Sequence, residues 1–480
     1  MALNKTVHFE TLGCRLNQIE TEGAAEFFYR RGWTVQMKAA AARDADDSSV
    51  SLCVLNTCAV TGKAEQKARR TINLLLKKFP AAALIVTGCY AQLSPAQIAA
   101  MDERAVVLPG KAKSALARVP DFLEQQRFER PQVLAAVLRE RLQGQDAAQG
   151  KNAAAIEPFA LNPKTFFAHS RSSVKIQDGC DNCCSFCAIH IARGKSVSIP
   201  ASLALERVAA LEDAGQSEVV LTGVNIGQYK GEWQGGTIGI ADLLQLLLER
   251  TQKIAVRFSS IYPETVTERF AEVIKNPRVR PHFHISVQSG SDEILKRMNR
   301  RYTRQTVIQA CRRLKEAKQN PFLACDIITG FPGETDDGFA QTLSLLKEAG
   351  FVNAHAFPYS PRPGTAAANF TPKIPERVKD QRVAALNEWS AQAKIAYINS
   401  FAGTVRPAIS ESVHGLAAKN VPQGKKLLRA TTDNFIHCEI LLDQEASSPQ
   451  DGQPIMVKIL AAKEEAVRQG AEWEALAELA

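Results

Sequence analysis

The chain has 480 residues, 59 Lys and Arg against 50 Asp and Glu for a formal charge of +9, and 45% hydrophobic residues. That length suits about three domains of ~150 residues each, and the apolar content excludes a chain that stays unfolded. No apolar run approaches the ~20 residues of a membrane-crossing helix. The opening MALNKTVHFETLGC lacks the apolar segment of a secretory leader, so the expectation is a cytoplasmic protein with no membrane partner. Eleven cysteines, an odd count in a reducing compartment, point to metal ligation or chemistry rather than to disulfides.

Residues 1–125 alternate β-like runs with helical stretches. TVHFETLG, SLCVLNT, ALIVTG and AVVLP read as buried strands, with helices around Asn17–Arg31, Lys63–Lys78 and Pro95–Met101. This alternation predicts a small open parallel α/β domain. Residues 126–165 are Ala- and Gln-rich and read as a linker with one or two helices and a flexible tail at Gln143–Ala155. Six β/α units occupy 166–401. Their strands lie near SVKIQ, EVVLTG, AVRFSSI, FHISVQ, LACDIIT and NAHAFPYS, and a long helix at about Pro375–Phe401 closes the set. Six such units predict a partial (β/α)6 barrel, short of the eight of a closed one. In 402–465 the short runs TVRPAISES, KLLRATT, FIHCEILL and PIMVKILA predict a small antiparallel β-barrel, and 466–480 reads as a tail.

Two sets of cysteines carry chemistry. The string QDGCDNCCSFCAIHIARG, Gln177–Gly194, directly follows the first of the six strands. Cys180, Cys184 and Cys187 form C-x-x-x-C-x-x-C, and Cys183 permits a second register through Cys180, Cys183 and Cys187. Three thiolates on one loop can hold a cubane iron–sulfur cluster and leave its fourth iron open to a substrate's amino and carboxylate groups. Zinc is the competing reading, but its usual second pair of ligands is not nearby. Cys14, Cys58 and Cys89 lie in TLGCRLN, LNTCAVT and VTGCYAQ, each just beyond a predicted strand. Strand ends of an open parallel sheet share one edge, so these three are predicted to meet as a second three-thiolate site. The alternative is three ordinary buried thiols. Cys53, Cys311, Cys325 and Cys438 read as core.

The Gln177–Gly194 string resembles the signature of the radical S-adenosylmethionine (SAM) superfamily, in which Phe186 precedes the last ligand. That favours the register Cys180, Cys184, Cys187. With both cysteine sets, the chain resembles the methylthiotransferase family over nearly its whole length: a three-cysteine domain, a radical-SAM domain, and a barrel similar to the TRAM RNA-binding domain. FETLGCRLNQIETE, LNTCAVTGKAEQKARR, VTGCYAQLSP, VQSGSDEILKRMNRRYT and IITGFPGET look most like the tRNA threonylcarbamoyladenosine branch. Its relatives modify isopentenyladenosine in tRNA or an aspartate of a ribosomal protein.

The resemblance implies two [4Fe–4S] clusters and SAM. The cluster on Cys180, Cys184 and Cys187 cleaves SAM to a deoxyadenosyl radical. The cluster on Cys14, Cys58 and Cys89 holds or activates a sulfur atom, which a first SAM methylates. A radical from a second SAM removes hydrogen from carbon 2 of the modified adenosine beside the anticodon, and the methylthio group is delivered there. An aromatic C–H at that position is not acidic, so acid–base catalysis would not suffice. The implied partners are the tRNA anticodon stem-loop, a reductant such as flavodoxin, and a sulfur source.

Further positions carry over from the resemblance. Thr222, Gly223 and Asn225 follow the second strand, where the superfamily binds the SAM amino group, although the sequence is not the common Gly-Gly-Glu. Gln288 and Ser289 end the fourth strand and Phe357 and Tyr359 the sixth, suiting SAM and adenine contacts; each also reads as a strand-end turn residue. Arg193 matches the family's arginine after the cluster loop, while Val197 and Ile199 occupy the stretch where many relatives place a second arginine. Basic segments at Lys63–Lys78, at Asp292–Lys318 (Lys296, Arg297, Arg300, Arg301, Arg304), and in the terminal barrel (Arg406, Lys419, Lys425, Lys426, Arg429) are candidates for RNA phosphates. Fold and charge agree best in the barrel. Three functions compete: methylthiolation of threonylcarbamoyladenosine in tRNA, the same chemistry on isopentenyladenosine or a ribosomal protein, and a non-catalytic iron–sulfur RNA-binding protein.

Overall fold

The structure is a computed structural model that describes residues 4–124, 128, 130–148, 158–163, 172–411, 413 and 421–480. The N-terminal sheet is parallel throughout, in the order Thr34–Gln36, Thr6–Thr11, Leu52–Thr57, Ala83–Gly88, Ala105–Val107. Side chains alternate faces along each strand. Phe9, Val54, Ile85 and Val106 pack on one face with Phe28; Cys53, Leu55, Leu84 and Val86 pack on the other with Ile72 and Leu75. Both faces are covered by helices, as a parallel sheet requires, and the open α/β architecture is the expected one.

The stretch expected as a linker differs. Helix Pro131–Ala148 places Leu134, Ala135, Leu138 and Leu142 in the first of these cores, because apolar residues four apart form one stripe. The helix also continues through 143–148, where a flexible tail was expected, and 149–155 lie outside the described residues.

Strands Ser172–Lys175, Glu218–Thr222 and Ala255–Phe258 form one parallel sheet. Ser260–Ile261, His282–Gln288, Phe322–Thr329 and Asn353–Pro358 form the next. The third strand is interrupted at Ser259 and its halves belong to the two sheets, so the six expected units run as one curved series. Val219, Leu221, Val256, Phe283, Ile285, Leu323 and Ile327 pack outward against the helices. The residues between them therefore face the inside of the curve. Ser390 on helix Glu376–Asn399 covers the last strand, accepting from Ala354 N at 3.0 Å and donating to its carbonyl at 3.1 Å.

The C-terminal barrel is closed by five strands, Val405–Glu411, Lys425–Thr432, His437–Asp443, Pro454–Ala462 and Ala475–Leu479. The fifth falls where a tail was expected. It runs parallel to His437–Asp443 and antiparallel to Pro454–Ala462, so the barrel is not wholly antiparallel. Its small buried Ala475 and Ala477 fill the barrel interior, and closing the sheet removes its exposed edges. The turn after Thr432 docks on the partial barrel: Arg257 Nη2 donates to the carbonyls of Thr432 (3.4 Å) and Asp433 (3.2 Å), and Phe435 stacks on His282 at 3.9 Å. His282 begins its strand, so this floor lies opposite the end that carries the cysteine loop. Among the described residues no helix is long and apolar enough to cross a membrane.

Candidate active site

Cys180 and Cys184 are buried, Cys187 is half-buried and Cys183 is exposed. Cys184 raises the thiol pKa of both Cys180 and Cys187, so these three share one space. Cys183 Sγ instead turns to the Asp181 carbonyl at 4.0 Å. Backbone N–H groups of Asn182 and Ile189 donate to Cys180 Sγ and Cys187 Sγ, each at 3.4 Å. Burial pushes the Cys180 thiol up and the Cys187 thiol to about 11, so bare thiols would stay protonated at neutral pH. Convergent buried thiols that carry N–H donors, and that need a metal to ionise, fit an iron–sulfur cluster. Among the described residues no group of three His, Cys, Asp or Glu is close enough to hold one single metal ion.

The loop is clamped from segment Arg297–Asn299. Ser185 Oγ donates to the Arg297 carbonyl at 2.8 Å, Ser185 N to the Met298 carbonyl at 3.0 Å, and Asn299 Nδ2 to the Cys183 carbonyl at 2.8 Å. Asn299 itself has φ +58. Next to it, Arg300 lies between the rings of Tyr262 (5.1 Å), Phe186 (5.3 Å) and Tyr302 (5.6 Å). Its Nε and Nη1 are buried without a hydrogen-bond partner. Burial opposes its charge, but Tyr302, Tyr262 and Cys184 hold its pKa above the usual value. Sequence reasoning marked Arg300 only as one charge in a basic run; the aromatic at Tyr302 was the available sign of a buried cation.

Thr222 ends its strand fully buried, its carbonyl accepting from Ile176 N at 2.9 Å. Gln177 organises the turn beyond it, accepting at Oε1 from Asn225 N (2.8 Å) and donating at Nε2 to the Gly179 carbonyl (2.7 Å). A Cβ on Gly223 would stand 2.7 Å from Gln177 Oε1. The Asn225 side chain reaches Cys180, and its Oδ1 is buried with no partner. Gln288 holds φ +71 after a register shift, a strained conformation of the kind kept at functional sites. Ser289 beside it is fully buried, and Phe357 is exposed on the inward face. Tyr359 instead joins a small core with Phe331, Met298 and Phe186, leaving its buried hydroxyl without a partner.

Arg193 is placed differently from expectation. Its Nη1 stands 3.1 Å from Glu20 Oε1 and 2.9 Å from Asp178 Oδ1, and its Nη2 donates to Asn17 Oδ1 at 2.9 Å. Its donors are committed to the N-terminal helix and to Asp178, so it bolts two domains together and does not stand ready for a SAM carboxylate.

The second triad converges as expected. Cys14 caps helix Arg15–Arg30, Cys58 follows strand Leu52–Thr57, and Cys89 opens helix Cys89–Leu93. Burial lifts the Cys58 thiol to about 11, with Cys14 and Cys89 adding to it. Asn17 pins two of the loops, donating to the carbonyls of Leu12 (2.9 Å) and Thr57 (3.1 Å). Gly13 has φ +102, and a Cβ there would lie 2.9 Å from Cys58 Sγ. Cys14 and Cys89 also act on Arg193, six residues beyond Cys187. Helix Ile189–Arg193 begins two residues beyond Cys187 and ends at Arg193, so this short helix lies between the two triads. Cys53, Cys311, Cys325 and Cys438 are buried in apolar cores.

The terminal barrel neutralises much of its expected RNA-binding charge. Arg406 pairs with Asp433 at 2.8 Å and Arg429 with Glu439 at 2.8 Å, the latter 4.7 Å over the Trp473 ring. Lys425 pairs with Asp443 at 2.6 Å, and Lys426 Nζ donates to the Ala446 carbonyl. Lys419 lies outside the described residues. By contrast, Lys63, Lys67, Arg69 and Arg70 are exposed on helix Gly62–Lys78, just after Cys58. That helix meets the loop beyond the sixth strand, Gly62 N donating to Ser360 Oγ at 3.1 Å.

A family model described as "Radical SAM superfamily" matches residues 174–346, and one described as "Uncharacterized protein family UPF0004" matches residues 6–110. The threonylcarbamoyladenosine tRNA methylthiotransferase MtaB of Treponema pallidum is 40% identical, over 91% of this chain and 94% of its own. The protein of the same name from Bacillus subtilis is 32% identical over 95% and 94%. The tRNA-2-methylthio-N(6)-dimethylallyladenosine synthase of Bacillus subtilis is 31% identical over 84% and 75%. With such identity over nearly the whole of both chains, the chain belongs to the methylthiotransferase family of radical-SAM enzymes.

Proposed function

We propose that the protein converts N6-threonylcarbamoyladenosine beside the tRNA anticodon to its 2-methylthio derivative, using SAM and two [4Fe–4S] clusters. The observation that carries this reading is the pair of convergent free-cysteine triads, in a chain whose relatives of this name match it nearly end to end. When bound, such clusters supply the electron that cleaves SAM to a deoxyadenosyl radical and the site at which sulfur is held.

The chain's own residues do the rest. Cys180, Cys184 and Cys187 hold the first cluster and Cys183 stays outside it; Cys14, Cys58 and Cys89 hold the second. The N–H groups of Asn182 and Ile189 steady the thiolate charge. Arg300 sets a buried positive charge beside it, with two N–H donors free for an anionic group. Asn225 Oδ1, a buried acceptor at Cys180, suits the amino group of SAM, with Thr222, Gly223, Gln288, Ser289 and Phe357 along the same strand ends. The exposed cations of helix Gly62–Lys78 face RNA phosphates. A flavodoxin-type reductant and a sulfur donor complete the reaction.

The test is mass spectrometry of tRNA nucleosides from cells lacking the protein. Loss of 2-methylthio-threonylcarbamoyladenosine with the isopentenyl counterpart intact is expected. Loss of the isopentenyl form instead moves the substrate to the other branch, and no loss of either overturns the reading.

A further inference from the structure

A cavity of about 440 Å³ lies inside the partial barrel, above the floor made by Phe435. That is the size of a small-molecule site, and polar side chains, His284, His355, Asn353, Arg257 and Arg15 among them, are set into a largely apolar wall. On three adjacent strands His284, Asp326 and His355 face inward in adjoining register positions. His284 Nε2 stands 3.0 Å from Asp326 Oδ1, the rings of His284 and His355 stack at 5.2 Å, and Asn353 Nδ2 lies 3.1 Å from His355 Nε2. Across the cavity Arg257 is 3% exposed, with Nε and Nη2 on Glu218 and Nη1 lacking any partner. Arg15, the residue after Cys14, lines the same space.

Neither triad uses these groups, and the buried Nη1 of Arg257 is costly unless something satisfies it. They sit two residues below Phe357 on the sixth strand, about 7 Å deeper than the rim. We infer that this row, with Arg257 and Arg15, receives the N6 arm of the substrate nucleoside, an arm ending in an amino-acid carboxylate and hydroxyl.

The inference rests on the function proposed above and deepens it. Carbon 2 and N6 project from different sides of adenine, so an arm directed down the barrel turns carbon 2 up toward the strand ends and the triads. The unpaired Nη1 of Arg257 and the guanidinium of Arg15 meet the carboxylate. Burial and the neighbouring His284 lower the His355 pKa, against Asp326, so His355 is a neutral ring with one donor and one acceptor, suited to the hydroxyl and urea. A hydrocarbon arm would leave the buried Nη1 of Arg257 unpaired. Sites built to hydrogen-bond a substrate reject an analogue lacking those groups by about 10⁴-fold or more, so the row serves to select the threonyl arm over an isopentenyl one.

The experiment uses the reconstituted full-length enzyme and anticodon stem-loops that carry threonylcarbamoyladenosine or plain adenosine, with dissociation constants from fluorescence anisotropy. The wild type is expected to prefer the modified stem-loop at least tenfold. A His284→Leu, His355→Leu double variant should bind both alike, with its affinity for the plain stem-loop, its iron content and its Tm unchanged. Asn353→Leu alone, at a half-buried position, should lower the preference several-fold and serves if the double variant does not fold. A preference that survives in both variants, or is absent from the wild type, overturns the inference. If the wild type also forms no methylthio product on the modified stem-loop, the proposed function has failed rather than this assignment of residues.

Discussion

Arg193 Nη1 lies 3.1 Å from Glu20 Oε1, joining the helix beyond one cysteine loop to the helix beyond another. Glu20 also takes Lys113 at 2.6 Å and Lys175 at 2.7 Å, and Asp178 shares Lys175 and Arg193. Three cations and two carboxylates are buried at one domain junction. Glu20→Gln leaves three buried cations with Asp178 alone, and removing one partner of a buried pair costs about 3–5 kcal/mol. Urea unfolding of the variant should show a loss of that order, and a change within 0.5 kcal/mol, about the scatter of surface substitutions, would refute the bolt.

The same junction sets an acid limit. Burial pushes the Glu20 carboxyl up, but Arg193, Lys113 and Lys175 more than offset it and hold its pKa well below 4.5. Asp178 is likewise held below 3.8, its burial outweighed by Arg193 and Lys175. Carboxyls depressed on folding contribute stability that is present above the unfolded pKa and lost as pH falls through the folded one. Urea midpoints should therefore be insensitive to these groups between pH 7 and pH 5 and fall from about pH 4.5 downward. In Glu20→Gln the slope below pH 4.5 should be shallower.

The cysteine loop makes the register testable. Cys184→Ala should lower iron from about eight to about four per chain and abolish SAM cleavage, whereas Cys183→Ala should change neither. The reverse pattern would make Cys183 the ligand. Cys58→Ala should keep SAM cleavage and stop sulfur insertion.

Gly13 offers a subtler probe of the second triad. With φ +102 and Cys58 Sγ 2.9 Å from where its Cβ would be, Gly13→Ala must displace the Cys14 or Cys58 loop. Iron should fall to about four per chain with the first cluster's spectrum retained. A full iron complement in this variant would show that the loop has room.

RNA binding should separate paired from exposed charge. Replacing Lys63, Lys67 and Arg70 by Gln should reduce the slope of log K against log salt by about two to three, near 0.7–0.9 per lost phosphate contact. Arg406→Gln and Arg429→Gln, whose charges are already paired, should leave that slope unchanged and lower the barrel's stability.

Much of this was legible in one dimension. Alternating apolar runs announce strands, their spacing with helices announces parallel units, and a cysteine one residue past a strand end is bound for a shared edge because parallel strands all finish on the same side. Cys14, Cys58 and Cys89 were predictable for that reason, and Cys180, Cys184 and Cys187 because they lie on one short loop. The last barrel strand was missed because Ala475–Leu479 is short and Glu478 breaks the pattern; the packing of helix Pro131–Ala148 was missed because a stripe of Leu and Ala looks the same in a linker and in a core. What only the tertiary structure decided is who faces whom. Arg193 meets Glu20 across 173 residues, Arg300 is enclosed by rings from three separate segments, and His284, Asp326 and His355 become one row only when three strands lie side by side. Local periodicity determines the element, but the partner of a charged or aromatic side chain depends on closures between distant parts of the chain, and those are set by the packing of the whole.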